Sequence, residues 1–154
     1  ITPLSRMVRP HVAIITTVEP VHLEFFDSVE GIADAKAEIF TGVEPQGAAV
    51  LNRDNPYFVR LAQSARQAGI GRIVSFGEHA QADIRLTMAS LQSVHSRVEA
   101  NVLGRPLAYR LGAPGKHVVL NSLAVLAAAS LAGADVTKAA AGLTATLGCV
   151  RVHH

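Results

Sequence analysis

Two hydrophobic periods alternate along the first half of the chain. Residues 11–18 form a short, β-branched apolar run between Pro10 and Pro20, which predicts a strand buried on both faces. Apolar positions at helical spacing then predict a helix over about 27–40, with Asp27 as its N-cap. A strand, a helix and a strand are predicted next, over 47–51, 56–68 and 72–76. Strands and helices that alternate through short links indicate a parallel α/β sheet.

The hydrophobic pattern changes in the second half. Three stretches joined by tight turns, over 82–92, 96–103 and 107–111, predict strands that pair antiparallel. An alanine-rich helix is predicted over 117–131, and a second helix runs from Asp135, its N-cap, to about 143. The sequence therefore predicts one α/β domain, with a mainly parallel sheet flanked by helices and a small antiparallel β insert.

A lysine interrupts the apolar stripe of the first predicted helix. Helical spacing places five residues on one face: Val29, Ile32, Lys36, Ile39 and Phe40. Burying the Lys36 ammonium there would cost several kcal/mol unless it is paired, coordinated or chemically converted. A snorkelling side chain, or a salt bridge to Asp34 or Glu38, is the structural alternative to a functional role.

Composition excludes several classes of function. The chain has 154 residues, of which 49% are hydrophobic and 17% charged, and this balance is typical of a folded domain. Its 14 basic residues are spread out and give a net charge of only +2, so nucleic acid is not expected as a partner. The single cysteine, Cys149, excludes an internal disulfide and suits the cytoplasm. Neither a membrane span nor a signal peptide is predicted.

A polar cluster follows the first predicted strand. Glu19, His22, Glu24 and Asp27 lie where the carboxyl end of a parallel strand is expected, and open α/β sheets bind their ligands at that edge. Imidazole and carboxylate groups suit a divalent cation such as magnesium. The alternative is a polar loop with a helix cap. The Nζ of Lys36 could reach back to the same strand end, which favours the functional interpretation.

Asn52, Asp54 and Asn55 follow the second predicted strand, at the same expected edge of the sheet. Asn and Asp are enriched in turns because their side chains bond to nearby main-chain groups. We therefore interpret these three as turn and cap residues rather than ligands.

His117 and Asn121 lie one helical turn apart at the start of the alanine-rich helix. A helix amino terminus after a glycine is a candidate rim for a nucleotide. The alternative is a capping role for His117 and an interhelical hydrogen bond for Asn121. Gly115-Lys116 is not a phosphate loop, because Arg110 replaces the first glycine and His117 replaces the Ser or Thr.

Five segments of the chain resemble the central domain of the Mur ligases. They are Ala13 to Thr17, Val21-His22-Leu23-Glu24, Ala35-Lys36-Ala37-Glu38-Ile39-Phe40, Asn52-Arg53-Asp54-Asn55, and Gly115-Lys116-His117 with Asn121-Ser122-Leu123-Ala124. Their order and spacing hold over roughly residues 1–143. The His-Leu-Glu triplet is most similar to the members that join D-Ala-D-Ala to UDP-MurNAc-tripeptide. Thr17 and Val118 depart from the pattern, since many relatives have Asn at both positions.

The resemblance implies ATP and Mg²⁺ as cofactors, and UDP-MurNAc-tripeptide and D-Ala-D-Ala as substrates, in bacterial peptidoglycan precursor synthesis. ATP phosphorylates a carboxylate, and an amine attacks the acyl phosphate to form the amide. Lys36 matches the lysine that is typically carbamylated in the family and helps to place a magnesium ion. His22 matches the imidazole that contacts this metal. Asn121 matches the asparagine that meets adenine, with His117 beside the nucleotide.

The resemblance also implies that this is part of a longer enzyme. Residues 1–146 match an incomplete central ATP-binding domain, and 147–154 form an atypical tail whose final histidines resemble a purification tag. The family's phosphate loop is expected before Ile1, so the chain alone should be inactive, and ATP turnover by it would refute this. Another Mur ligase or a folylpolyglutamate synthase is the enzymatic alternative. A non-catalytic α/β binding module is the alternative of a different class.

Overall fold

Strands and helices alternate in the computed structural model, which describes residues 6–18 and 28–149. The strands are β1 (Val12–Ile15), β2 (Ala48–Asn52), β3 (Arg72–Gly77), β4 (Ile84–Leu91), β5 (Ser96–Val102) and β6 (Arg105–Leu111). The helices are α1 (Val29–Ala37), α2 (Phe58–Gln67), α3 (Lys116–Leu131) and α4 (Val136–Cys149). The predicted α/β class is confirmed. The chain divides into two compact units, Ile1–Ser75 and Phe76–His154.

The first unit is built on a parallel strand pair. β1 and β2 run in register from Val12 opposite Ala48 to Ile15 opposite Leu51. Helix α2 packs against β2 and against α1. The apolar side chains between these elements form the core of the unit, which includes Ala13, Ile15, Ile32, Phe40, Ala49, Leu51, Leu61 and Ala65.

Strand β1 is shorter and more open than predicted. The expected strand covered 11–18, whereas the ladder ends at Ile15. Ala13 and Ile15 are buried, but Ile14 on the opposite face is 38% exposed. The prediction of burial on both faces is therefore wrong, because Ile14 lines a surface cavity.

Helix α1 begins one residue later than predicted. Its N-cap is Ser28, whose Oγ accepts a hydrogen bond of 3.1 Å from the Gly31 N–H. Asp27, the predicted cap, lies outside the described residues. The regular helix ends at Ala37 and tightens into a 3₁₀ turn over Glu38–Gly42. Short 3₁₀ turns are common at the ends of α-helices.

The second unit contains the predicted antiparallel insert. Strands β4 and β5, and then β5 and β6, pair antiparallel through tight connections. The last residues of β3, Phe76 and Gly77, pair parallel with Ile84 and Arg85 of β4. Helix α3 packs on β4, and α4 packs on β6 and on α3.

A buried hydrogen bond joins strand and helix in this unit. The hydroxyl groups of Tyr109 on β6 and Ser122 on α3 lie 2.6 Å apart, and both side chains are buried. Burial raises the pKa of Tyr109 to about 12, although the bond to Ser122 acts in the opposite direction.

Helix α4 is longer than predicted. Asp135 precedes it as expected, and its Oδ1 accepts a hydrogen bond of 3.1 Å from the Lys138 N–H. The helix continues to Cys149 instead of ending near 143, so it includes the first part of the atypical tail. Among the described residues, no helix is both long and apolar enough to cross a membrane.

Candidate functional site

Lys36 lies on the core-facing stripe of α1, as helical spacing predicts. On this stripe Ile32 and Phe40 are buried, while Lys36 is half-buried. Its Nζ donates a hydrogen bond of 2.6 Å to the main-chain carbonyl of Thr17, just beyond the end of β1. The side chain therefore does reach back to the strand end. Because Lys36 is partly exposed and its Nζ is hydrogen-bonded, the ammonium is stable in this position. The fold itself therefore does not require chemical conversion of the lysine to an uncharged or anionic group.

The alternative pairing of Lys36 with Asp34 is not what the structure shows. Both carboxylate oxygens of Asp34 accept from the guanidinium of Arg60 on α2, at 2.7 and 2.8 Å. This hydrogen-bonded contact lowers the pKa of Asp34 from its ordinary value. The ion pair is exposed and links α1 to α2 on the surface.

A cavity of about 230 Å³ opens beside Lys36 at the carboxyl end of β1. Its lining residues are Ile14, Ile15, Thr16, Thr17, Lys36 and Ile39. Open α/β sheets bind ligands beyond the carboxyl ends of their parallel strands, which is where this cavity lies. The Nζ of Lys36 is thus held by Thr17 at the edge of this cavity, at the end of β1 where the sequence predicts a ligand site.

Asn52 and Asn55 hold the segment that leaves β1. The Asn52 Nδ2 donates to the Thr16 carbonyl at 3.0 Å, and the Asn55 Nδ2 donates to the Val18 carbonyl at 3.5 Å. Each side-chain Oδ1 also accepts from a main-chain N–H two residues further along, at 2.9 and 2.8 Å. The turn interpretation is therefore confirmed for Asn52 and Asn55, but it missed the contacts across to β1.

Three consecutive carbonyl groups are consequently bonded to side chains. The carbonyls of residues 16–18 accept in turn from Asn52, Lys36 and Asn55. No sequence signal names these acceptors, because every residue carries a carbonyl. The sequence does show the donors, which are amide side chains just after β2 and a lysine on α1.

His117 and Asn121 are exposed near the amino terminus of α3, in the second unit. The N-cap of α3 is Gly115, with φ of 114°, and no side chain caps the helix. A Cβ at Gly115 would lie 3.1 Å from the His117 ring, so the imidazole packs over the glycine. The capping alternative for His117 is therefore wrong. Lys116, excluded above as a phosphate-loop lysine, pairs with Glu78 at 3.0 Å.

The predicted metal cluster lies outside the described residues, which include none of Glu19, His22, Glu24 and Asp27. Within the two described ranges, no three His, Cys, Asp or Glu side chains form a group that could hold a metal ion. A magnesium site at His22 and Lys36 therefore stays a prediction.

Three larger cavities open in the second unit, with volumes of about 400, 570 and 380 Å³. The first lies beside the β5–β6 turn and the start of α4, the second lies over the other ends of these strands, and the third lies beside the connection from β3 to β4. None of the three is lined by His117 or Asn121. Of these four cavities, the one at β1 is lined by a predicted site residue, Lys36.

Comparison with known proteins identifies the family. Residues 2–129 match the Mur ligase middle domain. The chain belongs to the Mur ligase family. The resemblance seen in the sequence is thus confirmed at this level, and the Lys36 cavity lies within the matched range.

The individual Mur ligases to which the chain is similar differ in their named activity. A curated relative, the UDP-N-acetylmuramate–L-alanine ligase of Mycolicibacterium vanbaalenii, is 32% identical over 151 residues, which cover 93% of this chain and 30% of the relative. MurF of Acinetobacter baumannii superposes with a TM-score of 0.85 at 29% identity, over 93% of this chain and 30% of MurF. The chain spans about 30% of the length of the curated relatives that it matches.

Two solved structures from Thermotoga maritima allow a comparison within one organism. Its MurF, in complex with ADP, superposes with a TM-score of 0.76 at 24% identity, over 91% of this chain and 32% of that protein. Its MurC, a UDP-N-acetylmuramate–alanine ligase, superposes with a TM-score of 0.65 at 25% identity, over 89% of this chain and 29% of that protein. At nearly equal identity, the backbone is closer to MurF.

Proposed function

We propose that the chain is the central domain of a MurF-type ligase, which uses ATP to join D-Ala-D-Ala to UDP-MurNAc-tripeptide in the bacterial cytoplasm. The observation that carries this proposal is the TM-score of 0.85 with MurF over 93% of the chain. The His-Leu-Glu triplet at 22–24 favours this member too.

The proposed reaction activates a carboxylate before the amide forms. A carboxylate oxygen of the tripeptide attacks the terminal phosphorus of ATP, which gives an acyl phosphate and ADP. The amine of D-Ala-D-Ala then attacks the acyl carbon, and inorganic phosphate leaves from the tetrahedral intermediate. When bound, ATP supplies the phosphoryl group and magnesium ions offset the phosphate charge.

Lys36 is proposed to act as a carbamate at the edge of the β1 cavity. Its neutral amine attacks CO₂, a C–N bond forms, and a proton is lost to solvent, so that the product is an anionic –NH–COO⁻ group. The half-buried side chain and a cavity of about 230 Å³ leave room for this group. Oxygen donors are the ligands that magnesium prefers, so the carbamate and His22 would together hold one ion.

His117 and Asn121 are proposed to bind the nucleotide. Both side chains are exposed one turn apart at the amino terminus of α3, where the helix dipole favours anionic groups. The Asn121 amide offers both a donor and an acceptor to the edge of an adenine. Lys116, paired with Glu78, is not assigned to the phosphates.

A second candidate is the reaction of MurC, which is favoured by a specific observation. The curated relatives named UDP-N-acetylmuramate–L-alanine ligase are 32–34% identical to the chain, compared with 29% for A. baumannii MurF. This function would use the same carboxylate activation with L-alanine as the amine.

Substrate-dependent ADP release by the full-length protein tests the proposal. Two complete substrate pairs are compared: UDP-MurNAc-tripeptide with D-Ala-D-Ala, and UDP-N-acetylmuramate with L-alanine. The crossed pairs serve as controls. ADP release with only the first pair is expected. Release with only the second pair would favour the MurC reaction, and no release with either pair would contradict both reactions.

A further inference from the structure

The segment that follows β1 is held from two sides. The β1–β2 ladder ends at Ile15 opposite Leu51, so the next residues lose the support of strand pairing. Asn52, the last residue of β2, takes over at this point because its Nδ2 donates to the Thr16 carbonyl at 3.0 Å. Its Oδ1 accepts from the Asp54 N–H at 2.9 Å, which fixes the amide at its other end. Asn52 therefore continues the strand pairing with its side chain.

The neighbouring carbonyl is the partner of Lys36. The 2.6 Å bond from Nζ to the Thr17 oxygen orients the end of the lysine side chain. An ammonium offers three donors to this carbonyl, and a carbamate nitrogen keeps one N–H. The Thr17 carbonyl can therefore accept from Lys36 in both forms. In the carbamate the same bond directs the N–H toward the main chain and leaves the two oxygens free for the cavity.

We propose that Asn52 is a positioning residue for Lys36: by holding the end of β1, it places the Thr17 carbonyl where it orients the Lys36 carbamate. This inference rests on the carbamate assigned to Lys36 in the proposed function. Asn55 makes the same kind of contact to Val18, but at 3.5 Å, and Asn52 is thus the stronger of the two supports. Because Thr17 contributes its main chain, the departure of its side chain from the family pattern leaves this arrangement intact.

Occupancy of the carbamate tests this inference without measuring catalysis. Full-length protein is equilibrated with ¹³C-labelled bicarbonate at fixed pH, and the carbamate carbon is followed by NMR as bicarbonate is increased. The unsubstituted protein should show a signal that Lys36→Ala lacks. In Asn52→Ala, the bicarbonate concentration for half occupancy should rise about fivefold, because an ammonium with three donors tolerates a displaced Thr17 carbonyl, whereas the carbamate has only one N–H to offer it.

Asn101→Ala is the matched control. Asn101 is also an asparagine whose Oδ1 accepts from a main-chain N–H, that of Gly104 at 2.9 Å, but it lies near the end of β5 in the second unit. This variant should keep the half-occupancy concentration of the unsubstituted protein. If Asn52→Ala does not fold, Asn52→Ser preserves a hydroxyl that can cap the turn but is too short to hold Thr16, and the same shift is expected.

An unchanged half-occupancy concentration in the folded Asn52 variant would overturn the positioning role. A shift of equal size in Asn101→Ala would overturn it too, since the effect would then be a general one. The absence of a Lys36-dependent signal from the unsubstituted protein would overturn both this inference and the carbamate. ADP release with D-Ala-D-Ala is measured separately, so failure of the proposed reaction is distinguishable from failure of this inference.

Discussion

Lys36 is the residue at which sequence and structure are most informative together. The 3.6-residue period is sufficient to place it on the stripe with Ile32 and Phe40, and the structure confirms that placement. The identity of its partner was not predictable, since the Thr17 carbonyl is a main-chain group 19 positions away. The Lys36 ammonium is less buried than the sequence predicts. The functional role of Lys36 remains a prediction that depends on its position beside the β1 cavity.

Substitution of Lys36 tests that role directly. In the full-length enzyme, Lys36→Ala should lower the rate of ADP release strongly, by about 100-fold or more, because both the proposed carbamate and its metal contact are lost. Short carboxylates added to the assay should restore part of the rate by occupying the vacated space. Steady-state kinetics with and without added carboxylate measure both effects.

Lys138→Ala provides the control for this substitution, since Lys138 is exposed on α4 in the second unit. It should leave the rate unchanged and show no response to carboxylates. Turnover by Lys36→Ala equal to that of the unsubstituted enzyme would contradict the carbamate assignment.

Tyr109 should make the stability of the chain depend on pH in the alkaline range. Its hydroxyl is buried against Ser122, and the pKa of Tyr109 is raised from 10.0 to about 12. The folded chain therefore keeps this proton over a pH range in which the unfolded chain loses it. The contribution of Tyr109 to the free energy of unfolding should be constant below about pH 10 and then fall by about 1.4 kcal/mol per pH unit up to about pH 12.

Denaturant unfolding of the 154-residue chain, followed at a series of alkaline pH values, measures this contribution by comparison with Tyr109→Phe. An absorbance titration of tyrosinate is an independent check, because the sequence contains only two tyrosines. The phase near pH 12 should vanish in Tyr109→Phe. If the substituted chain kept both this phase and the full alkaline loss of stability, the burial argument for Tyr109 would be wrong.

The turn that leads into β2 leaves no space for a side chain at Gly47. The Gly47 N–H donates to the Glu44 carbonyl, and the next N–H donates to the His11 carbonyl, both at 2.8 Å. A Cβ at Gly47 would overlap the Val43 side chain and lie 2.7 Å from the His11 oxygen. Gly47→Ala should therefore destabilise the 154-residue chain by about 1–3 kcal/mol, as overpacking typically does.

Gly71→Ala is the matched control, since a Cβ at Gly71 meets nothing within 4 Å. It should change the free energy of unfolding by less than about 1 kcal/mol. Denaturant unfolding of both variants measures the difference. Equal stability of the two variants would show that the close approach at Gly47 does not constrain the turn before β2.

Sequence patterns predicted the order of these elements better than their ends. The apolar runs identified β1 to β6, because alternating and helical periods differ clearly over five or more residues. The ends depend on individual contacts, such as the Ser28 Oγ that caps α1 and the Asn52 amide that takes over from the β1–β2 ladder. The Asn52 contact joins residues that are distant in sequence, and Ser28 stands beside Asp27, which is an equally good N-cap residue. The hydrophobic pattern alone therefore cannot predict these contacts.

For the whole molecule, the family was predictable and the individual member was not. Specific residues carry the family resemblance, including His22 and Lys36, and their catalytic roles remain predictions. We propose that most of the residues that choose the amine lie outside the domain matched at 2–129. The MurC names of the curated relatives and the closer superposition of MurF therefore lead to two testable functions rather than one.

Oxygen-18 labelling gives the most direct test of the proposed acyl phosphate. Full-length protein is given ATP, D-Ala-D-Ala and UDP-MurNAc-tripeptide whose reacting carboxylate carries oxygen-18, and the released phosphate is analysed by mass spectrometry. Carboxylate activation predicts one labelled oxygen in each phosphate, because the bridging oxygen of the acyl phosphate leaves with phosphorus. Phosphate without label, released at the rate of ADP formation, would contradict the assignment of this chain to a ligase that works through an acyl phosphate.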